Sequence, residues 1–537
     1  MPRGAEVFTA VASEDAWDTA TVGPASRGVP LLRRALNIYD GIGVSVGIMI
    51  GSGIFASPGV TLSRCGSPGA ALLAWVASAA LVLCASFCYA ELATSIPDSG
   101  GDFAFLQRAY GDAVAFCFAW YNFWVGKTGS QAIISTIFSH YFISGLFGSH
   151  FLSTHDGVIA AKITAILLLL ALCVLNCAGV KESAAVINGL TAVKLVLVAS
   201  LIVAAIAYVM ATDDSTARSN LDSENAFTGT SFSGFATGMI PALWSFDGWA
   251  DVNFMAEELV NPQRLLPRII FTSVLVVATA YVCANIAYLS VLNTSTIKNS
   301  HSVAMDFGDN VAGRWFSILM SFGVALSAAG SANGSVMTGG RAFYAVARAG
   351  RGPLSLSILN DKGSPMVALV TQMMWSVVLL CIPRSNFSTL LDYFGPASWM
   401  FYALTGFGVV VLRRCSPDMP RPYRVPWYPI PPAVLCLVSI FIVCNALLSS
   451  PLFTVLALCF ISFGIPVFYF CYGPSCKLPF VRQSENVGKI FSLWASPTTT
   501  DLSHVVQSET TSSSPPVHTS PLYFAIDGLV NNIEEEY

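Results

Sequence analysis

A chain of 537 residues with 54% hydrophobic and only 11% charged residues has too little polar surface to clothe water-soluble domains of that size. The net charge of −4 sits in short clusters between apolar runs, each of which crosses the roughly 30 Å hydrocarbon layer as a helix of about 20 residues. A β-barrel is excluded, because the runs lack the polar residue at every second position that a lumen demands, and no nucleic-acid partner is expected.

In chain order, residues 1–37 form a polar tail without a basic-then-apolar signal peptide, so the first span itself is expected to direct insertion. Apolar runs then predict about twelve spans, near 39–61, 69–94, 112–147, 158–178, 184–210, 234–257, 268–292, 314–341, 365–383, 387–412, 430–449 and 452–472. The fourth and fifth are separated only by Gly179-Val180-Lys181-Glu182-Ser183, where one long run and two spans read alike. The membrane domain is thus expected over 38–475, and the Ser/Thr/Pro-rich, acidic segment 476–537 as a disordered tail.

Most of the 27 Lys and Arg residues fall on one side if both termini are cytoplasmic. Arg33-Arg34, Arg341/Arg348/Arg351, Arg413-Arg414, Arg421 and Arg424 carry that bias, and the positive-inside tendency favours this orientation. Asn293 and Asn386 head sequons in loops that are then external, where glycosylation is allowed. Nearly all 14 cysteines lie in apolar runs or near the inner face, so no disulfide framework is indicated.

Two spans carry helix breakers at depth. The first reads Met49-Ile50-Gly51-Ser52-Gly53-Ile54, and each glycine weakens a helix by roughly 1 kcal/mol relative to alanine. Gly43, Gly47 and Gly51 also recur every four residues, which suits close helix packing; this stretch alone leaves packing and a break equally open. The sixth span reads Trp244-Ser245-Phe246-Asp247-Gly248-Trp249, where a carboxylate costs about 2.5–3.5 kcal/mol on insertion scales and so should face a cavity or a partner.

If spans 1–5 and 6–10 are inverted repeats, the two breaks occupy equivalent positions, as in transporters that bind substrate at the repeat interface. A half-helix starting after Gly53 would aim free N–H groups at a carboxylate, while carbonyls freed by the breaks would receive an ammonium group. An α-amino acid offers both groups on one carbon.

Ile50-Gly51-Ser52-Gly53-Ile54-Phe55, Gly66-Ser67-Pro68-Gly69, Tyr89-Ala90-Glu91-Leu92 and Ser99-Gly100-Gly101-Asp102, continued by Gly248-Trp249, Asn253-Phe254, Glu257-Glu258, Asn261-Pro262, Leu266-Pro267, Asn333-Gly334-Ser335 and Arg341-Ala342-Phe343, resemble the L-type amino acid transporters over about 37–475. These are light chains of heteromeric transporters in the amino acid–polyamine–organocation superfamily. The resemblance implies an all-α, twelve-helix, leucine-transporter-like fold with a five-plus-five inverted repeat and sodium-independent exchange of amino acids. It places the substrate carboxylate at Gly51, Ser52 and Gly53, and the ammonium at carbonyls of Met49, Trp244 and Asp247, beside Gly248. Trp244 takes the position of the family's aromatic gate.

Lys194 matches a lysine that stands where sodium-coupled relatives hold an ion, the alternative being a lysine that snorkels to the interface. Lys127 is a second intramembrane base without an assigned role. Some relatives that accept cationic amino acids resemble this chain in having aspartate at the position of Asp247. That carboxylate would therefore recognise a cationic side chain, or else pair internally with Lys127 or Lys194; Asp251 is a rival carboxylate four residues on. Family light chains carry a cysteine in the loop after span 3 that bonds to a single-span glycoprotein. Here residues 148–157 contain none, so no disulfide-linked heavy chain is expected and a non-covalent one stays open.

A membrane-embedded hydrolase would need histidine–carboxylate or metal-ligand patterns at depth, and five of the six histidines lie in loops or tails, with His140 near the end of span 3. No cofactor or metal is expected. A receptor of the same fold that binds without transporting remains the alternative.

Overall fold

The computed structural model describes residues 34–212, 216–221, 226–300, 302–381, 387–449 and 451–472. They all belong to the first of two units, Met1–Ser492; the second, Leu493–Tyr537, lies outside them, as do Asn386 and most of both tails. Helices make up the described chain. The isolated parallel bridge between Leu36 and Leu259 is the one piece of β pairing among these residues.

The first span is two helices. Helix α1, Ile38–Met49, starts at a capping box in which Asn37 Oδ1 accepts from the Tyr39 and Asp40 N–H groups while Asp40 accepts from the Asn37 N–H. It stops at Met49, and α2, Gly53–Cys65, continues at a bend of 40°. Pro68 then opens α3, Pro68–Ser95, at a position where a missing N–H costs nothing. A short helix, α4, Asp102–Tyr110, leads to the third span, where α5, Asp112–Tyr121, and α6, Lys127–Phe147, are joined by a wide π turn over Asn122–Gly126. That turn was not foreshadowed by the hydropathy of 112–147.

Helices α7, His155–Ala178, and α8, Val180–Ala211, end and begin around Gly179, so the fourth and fifth spans are separate. After α9, Thr216–Leu221, the sixth span begins as α10, Phe232–Ser245. Beyond it the chain does not return to an α-helix but runs through a turn into a 3₁₀ segment, Asp251–Glu258. The remaining helices are α11, Pro262–Val291; α12, Thr294–Asn299; α13, Val303–Ala312; α14, Arg314–Arg348; α15, Met366–Cys381; α16, Phe387–Cys415; α17, Ile430–Ser449; and α18, Pro451–Tyr472.

Over the described residues each of the twelve expected spans coincides with helix, the sixth only in its first half. Among the described residues, eight helices are long and apolar enough to cross a bilayer alone, and α1 with α2 makes a ninth. The others fall short for local reasons: α6 is long enough but carries Lys127, Gln131, His140 and several serines, the sixth span is broken, and α15 is only 16 residues long. Leu167, Val174, Val196, Val203, Leu437 and Phe470 point outward into what must be lipid. The chain is a multi-pass, all-α membrane protein.

Helix α14 runs through the middle, packed against α6, α8 and α13, while the half-helices α2 and α10 pack on each other. One end of the bundle is tied by charge. Arg348 grips Glu257 with Nη1 2.7 Å from Oε2, Arg341 Nε lies 3.2 Å from Glu258, and Arg413 Nε donates to Glu91 at 2.8 Å. At the same end the N–H groups of Ala35 and Leu36 both donate to the Glu258 carbonyl at 2.9 Å, and Val260 donates back to Leu36 at 3.0 Å. The start of the first span is thereby fastened to the end of the sixth.

Candidate substrate site

The two breaks meet in the centre of the protein. In the first, Ile50 has φ −74° and ψ 77°, and the Gly51 N–H closes a three-residue turn on the Met49 carbonyl at 2.7 Å. Helix α2 then begins with its first donors free: among the described residues the N–H groups of Ser52, Gly53 and Ile54 find no acceptor. Ser52 Oγ is buried and also unpartnered. Four donors at the positive end of a helix dipole form the surroundings that a carboxylate needs.

Gly53 is required by close approach, since a Cβ there would lie 2.6 Å from Ser245 Cα in the opposite break. Gly248, at φ +94°, meets Ile48 in the same way: a Cβ would lie 2.2 Å from Ile48 Cγ2, and the backbone conformation itself favours glycine. The hydroxyl of Tyr281 sits between the breaks, bonded to the Met49 carbonyl and to the Ser245 carbonyl at 2.8 Å. Ser327 Oγ donates to the Gly51 carbonyl at 3.0 Å. Unwound backbone at this depth is thus either held by side chains or turned to a cavity, as an apolar surrounding demands.

A small cavity opens between the breaks, with Met49, Ser52, Gly53, Trp244, Ser245 and Asp247 on its wall. The three carbonyls assigned to an ammonium differ in this conformation. Met49 O already receives Gly51 N–H and Tyr281, and Trp244 O receives Asp247 N–H at 2.9 Å. The carbonyl of Asp247 accepts no hydrogen bond among the described residues.

The intramembrane charges distribute themselves in a way the sequence left open. Lys194 is fully buried, with Nζ donating to the Gly47 carbonyl of α1 and its chain packed on Gly330; it does not snorkel. Lys127 pairs with Asp251, and Thr338 Oγ1 bonds to both, 2.9 Å from Asp251 and 3.3 Å from Lys127. Neither base pairs with Asp247. Its Oδ1 instead accepts from the Tyr402 hydroxyl at 2.9 Å, and Tyr402 is wedged edge-on among Tyr89, Trp249 and Trp399.

A second cavity adjoins the first and shares Lys127, Ser130, Asp247 and Asp251 with it; Asp102 and Tyr402 lie on its far wall. Asp102, which begins α4 outside the spans, accepts from Tyr89 and from Thr405 at 3.0 Å, and burial raises its carboxyl to about 6. Asn293 is exposed at the start of α12, where its side chain makes no cap hydrogen bond.

Sequence reasoning missed Tyr281, Ser327, Thr338 and Tyr402. Tyrosines and serines inside apolar spans are too common to stand out, although each buried hydroxyl requires a partner. The Lys127–Asp251 pair carried a better signal, because two opposite charges at depth must be neutralised by something.

Comparison with known proteins agrees with this architecture. The amino acid permease family model matches residues 36–473. The b(0,+)-type amino acid transporter 1 of Mus musculus is 33% identical over 446 residues, covering 82% of this chain and 88% of that one. The Homo sapiens protein of that name is 33% identical over 445 residues, with the same coverage. The large neutral amino acids transporter small subunit 2 of Homo sapiens is 32% identical over 461 residues, covering 84% of this chain and 83% of that one. The family and these relatives are transporters, not enzymes.

Proposed function

The chain belongs to the amino acid permease family, and from that membership together with the geometry of the two breaks we propose that it carries amino acids across a membrane by sodium-independent exchange. The observation that supports this most directly is the cluster of free donors at Ser52, Gly53 and Ile54 facing the sixth-span break across a shared cavity. The substrate carboxylate sits on those donors, with Ser52 Oγ as a fourth, and the ammonium turns to the Asp247 carbonyl and its neighbours. Trp244 closes over the bound molecule.

Sodium is unnecessary because Lys194 puts a fixed ammonium on the Gly47 carbonyl. A positive charge already bound to the backbone of α1 does electrostatically what a bound cation would do.

Both neutral and cationic amino acids are substrates. Among the described residues Asp247 has no cation of its own, and its carboxylate, held by Tyr402, lies on the cavity wall where a lysine or arginine side chain would meet it. At about 4–6 Å and an effective dielectric near 20 that attraction is roughly 3–4 kcal/mol before desolvation; a surplus of about 1.4 kcal/mol suffices for tenfold discrimination. The plasma membrane, with both termini cytoplasmic, is the expected location. Any heavy chain associates without a disulfide, since residues 148–157 lack cysteine.

Flux of radiolabelled arginine and leucine in proteoliposomes tests the reading. Uptake should need amino acid on the far side and stay the same when choline replaces sodium. Binding without flux would identify a receptor of the same fold instead. For Asp247→Asn the arginine-to-leucine ratio should fall, whereas equal loss of both would remove Asp247 from recognition.

A further inference from the structure

Asp247 and Asp251 line the same two cavities, four residues apart, yet Lys127 pairs with Asp251 alone. Thr338, on α14, explains the choice. Its hydroxyl reaches both members of the pair and fixes the Asp251 carboxylate in front of the ammonium, while the ring of Phe254 lies 5.3 Å from Lys127 Nζ on another side. Asp247 is held by Tyr402 and, among the described residues, has no cation paired with it. The remaining carboxylate on these walls, Asp102, already has two hydroxyls on one oxygen.

We infer that the Lys127–Asp251 pair sets the charge preference of the substrate cavity, by sequestering the one ammonium on its wall and so keeping Asp247 negative toward the substrate. Asp251 and Thr338 are positioning residues here, and Lys127 is the charge they restrain. The inference rests on the reading that Asp247 meets the substrate side chain. It differs from that reading in assigning selectivity to a pair that cancels its own charge.

The consequence is a sign pattern that a merely structural pair would not produce. Asp251→Asn keeps the ammonium but removes its partner, so Lys127 turns its charge to the cavity and opposes a cationic side chain. The arginine-to-leucine uptake ratio should then fall by about tenfold or more, corresponding to ~1.4 kcal/mol. Removing the ammonium as well, in the Lys127→Gln/Asp251→Asn double variant, leaves Asp247 uncompensated again and should return the ratio to near that of the unaltered protein.

The measurement is paired arginine and leucine uptake in proteoliposomes, normalised to reconstituted protein, for these two variants and Asp247→Asn. A ratio unchanged in Asp251→Asn, or not restored in the double variant, overturns the inference. If Asp247→Asn lowers the ratio in the same experiment, that failure is confined to the pair; if Asp247→Asn leaves the ratio unchanged, the reading of Asp247 fails with it. Should Asp251→Asn not reach the membrane, Lys127→Gln decides: a ratio at or above that of the unaltered protein supports the assignment, and a fall refutes it.

Discussion

Substituting Gly53 tests whether the two breaks must touch for the site to exist. A Cβ at this position would lie 2.6 Å from Ser245 Cα, whereas carbon atoms rest at about 3.5–4.0 Å, so the breaks must part by roughly 1 Å. The obstructing atom is backbone, which cannot rotate away. Parting strains the bridge in which Tyr281 bonds to Met49 and Ser245. Overpacking contributes about 1–3 kcal/mol and a weakened buried hydrogen bond about 1 kcal/mol more. Borne by the conformation that binds substrate, a total of about 2–4 kcal/mol corresponds to a roughly thirtyfold or greater loss of substrate affinity. The assay is concentration-dependent leucine uptake in proteoliposomes, at matched protein content. Gly53→Leu should show almost no uptake, and Gly53→Ala should already show most of the defect, because the first carbon makes the clash. Gly53→Leu uptake within about threefold of normal would refute the reasoning, and a neutral Gly53→Ala would shift the cause from close approach to bulk.

Tyr281→Phe removes the hydroxyl shared by the Met49 and Ser245 carbonyls, so it should lower stability by about 1–3 kcal/mol, read as a lower melting temperature in detergent together with weaker leucine uptake. Lys194→Ala leaves the Gly47 carbonyl without its ammonium, and leucine uptake in proteoliposomes should collapse. Non-reducing electrophoresis of the protein from its native membrane should show no complex with a single-span glycoprotein that dissociates on reduction.

How far the sequence carried the structure depends on which physical signal each feature left. The spans were legible because a lipid solvent imposes length and apolarity directly, and even Gly179 between two apolar runs proved to be a helix boundary. The breaks were legible because glycine beside serine or aspartate at depth opposes the helix locally. The π turn over Asn122–Gly126 was not, since it changes the hydrogen-bond spacing without a breaker residue. The 3₁₀ segment Asp251–Glu258 follows a turn and not a continuous helix, which changes where Asp251 points, and Thr338 then holds its carboxylate on Lys127. Pairing is a property of depth and rotation, and neither is written in a list of charged residues.

The four charges at depth then separate into two kinds. Each would cost about 2.5–3.5 kcal/mol to place in the membrane alone. Lys127 and Asp251 cancel against each other, so each is neutralised by its partner. Lys194 and Asp247 do not: one rests on a backbone carbonyl and the other on a tyrosine hydroxyl, partners that solvate a charge without neutralising it. These two belong to different halves of the site, Lys194 against α1 and Asp247 in the break that follows α10. A residue selected only for stability at either position would be apolar, because an apolar replacement avoids the insertion cost and loses no ion pair. The proposed function gives each charge a use, Lys194 in place of a bound cation and Asp247 toward the side chain of the substrate. On the same argument, neutralising Lys127 and Asp251 together should change transport less than neutralising either Lys194 or Asp247 alone.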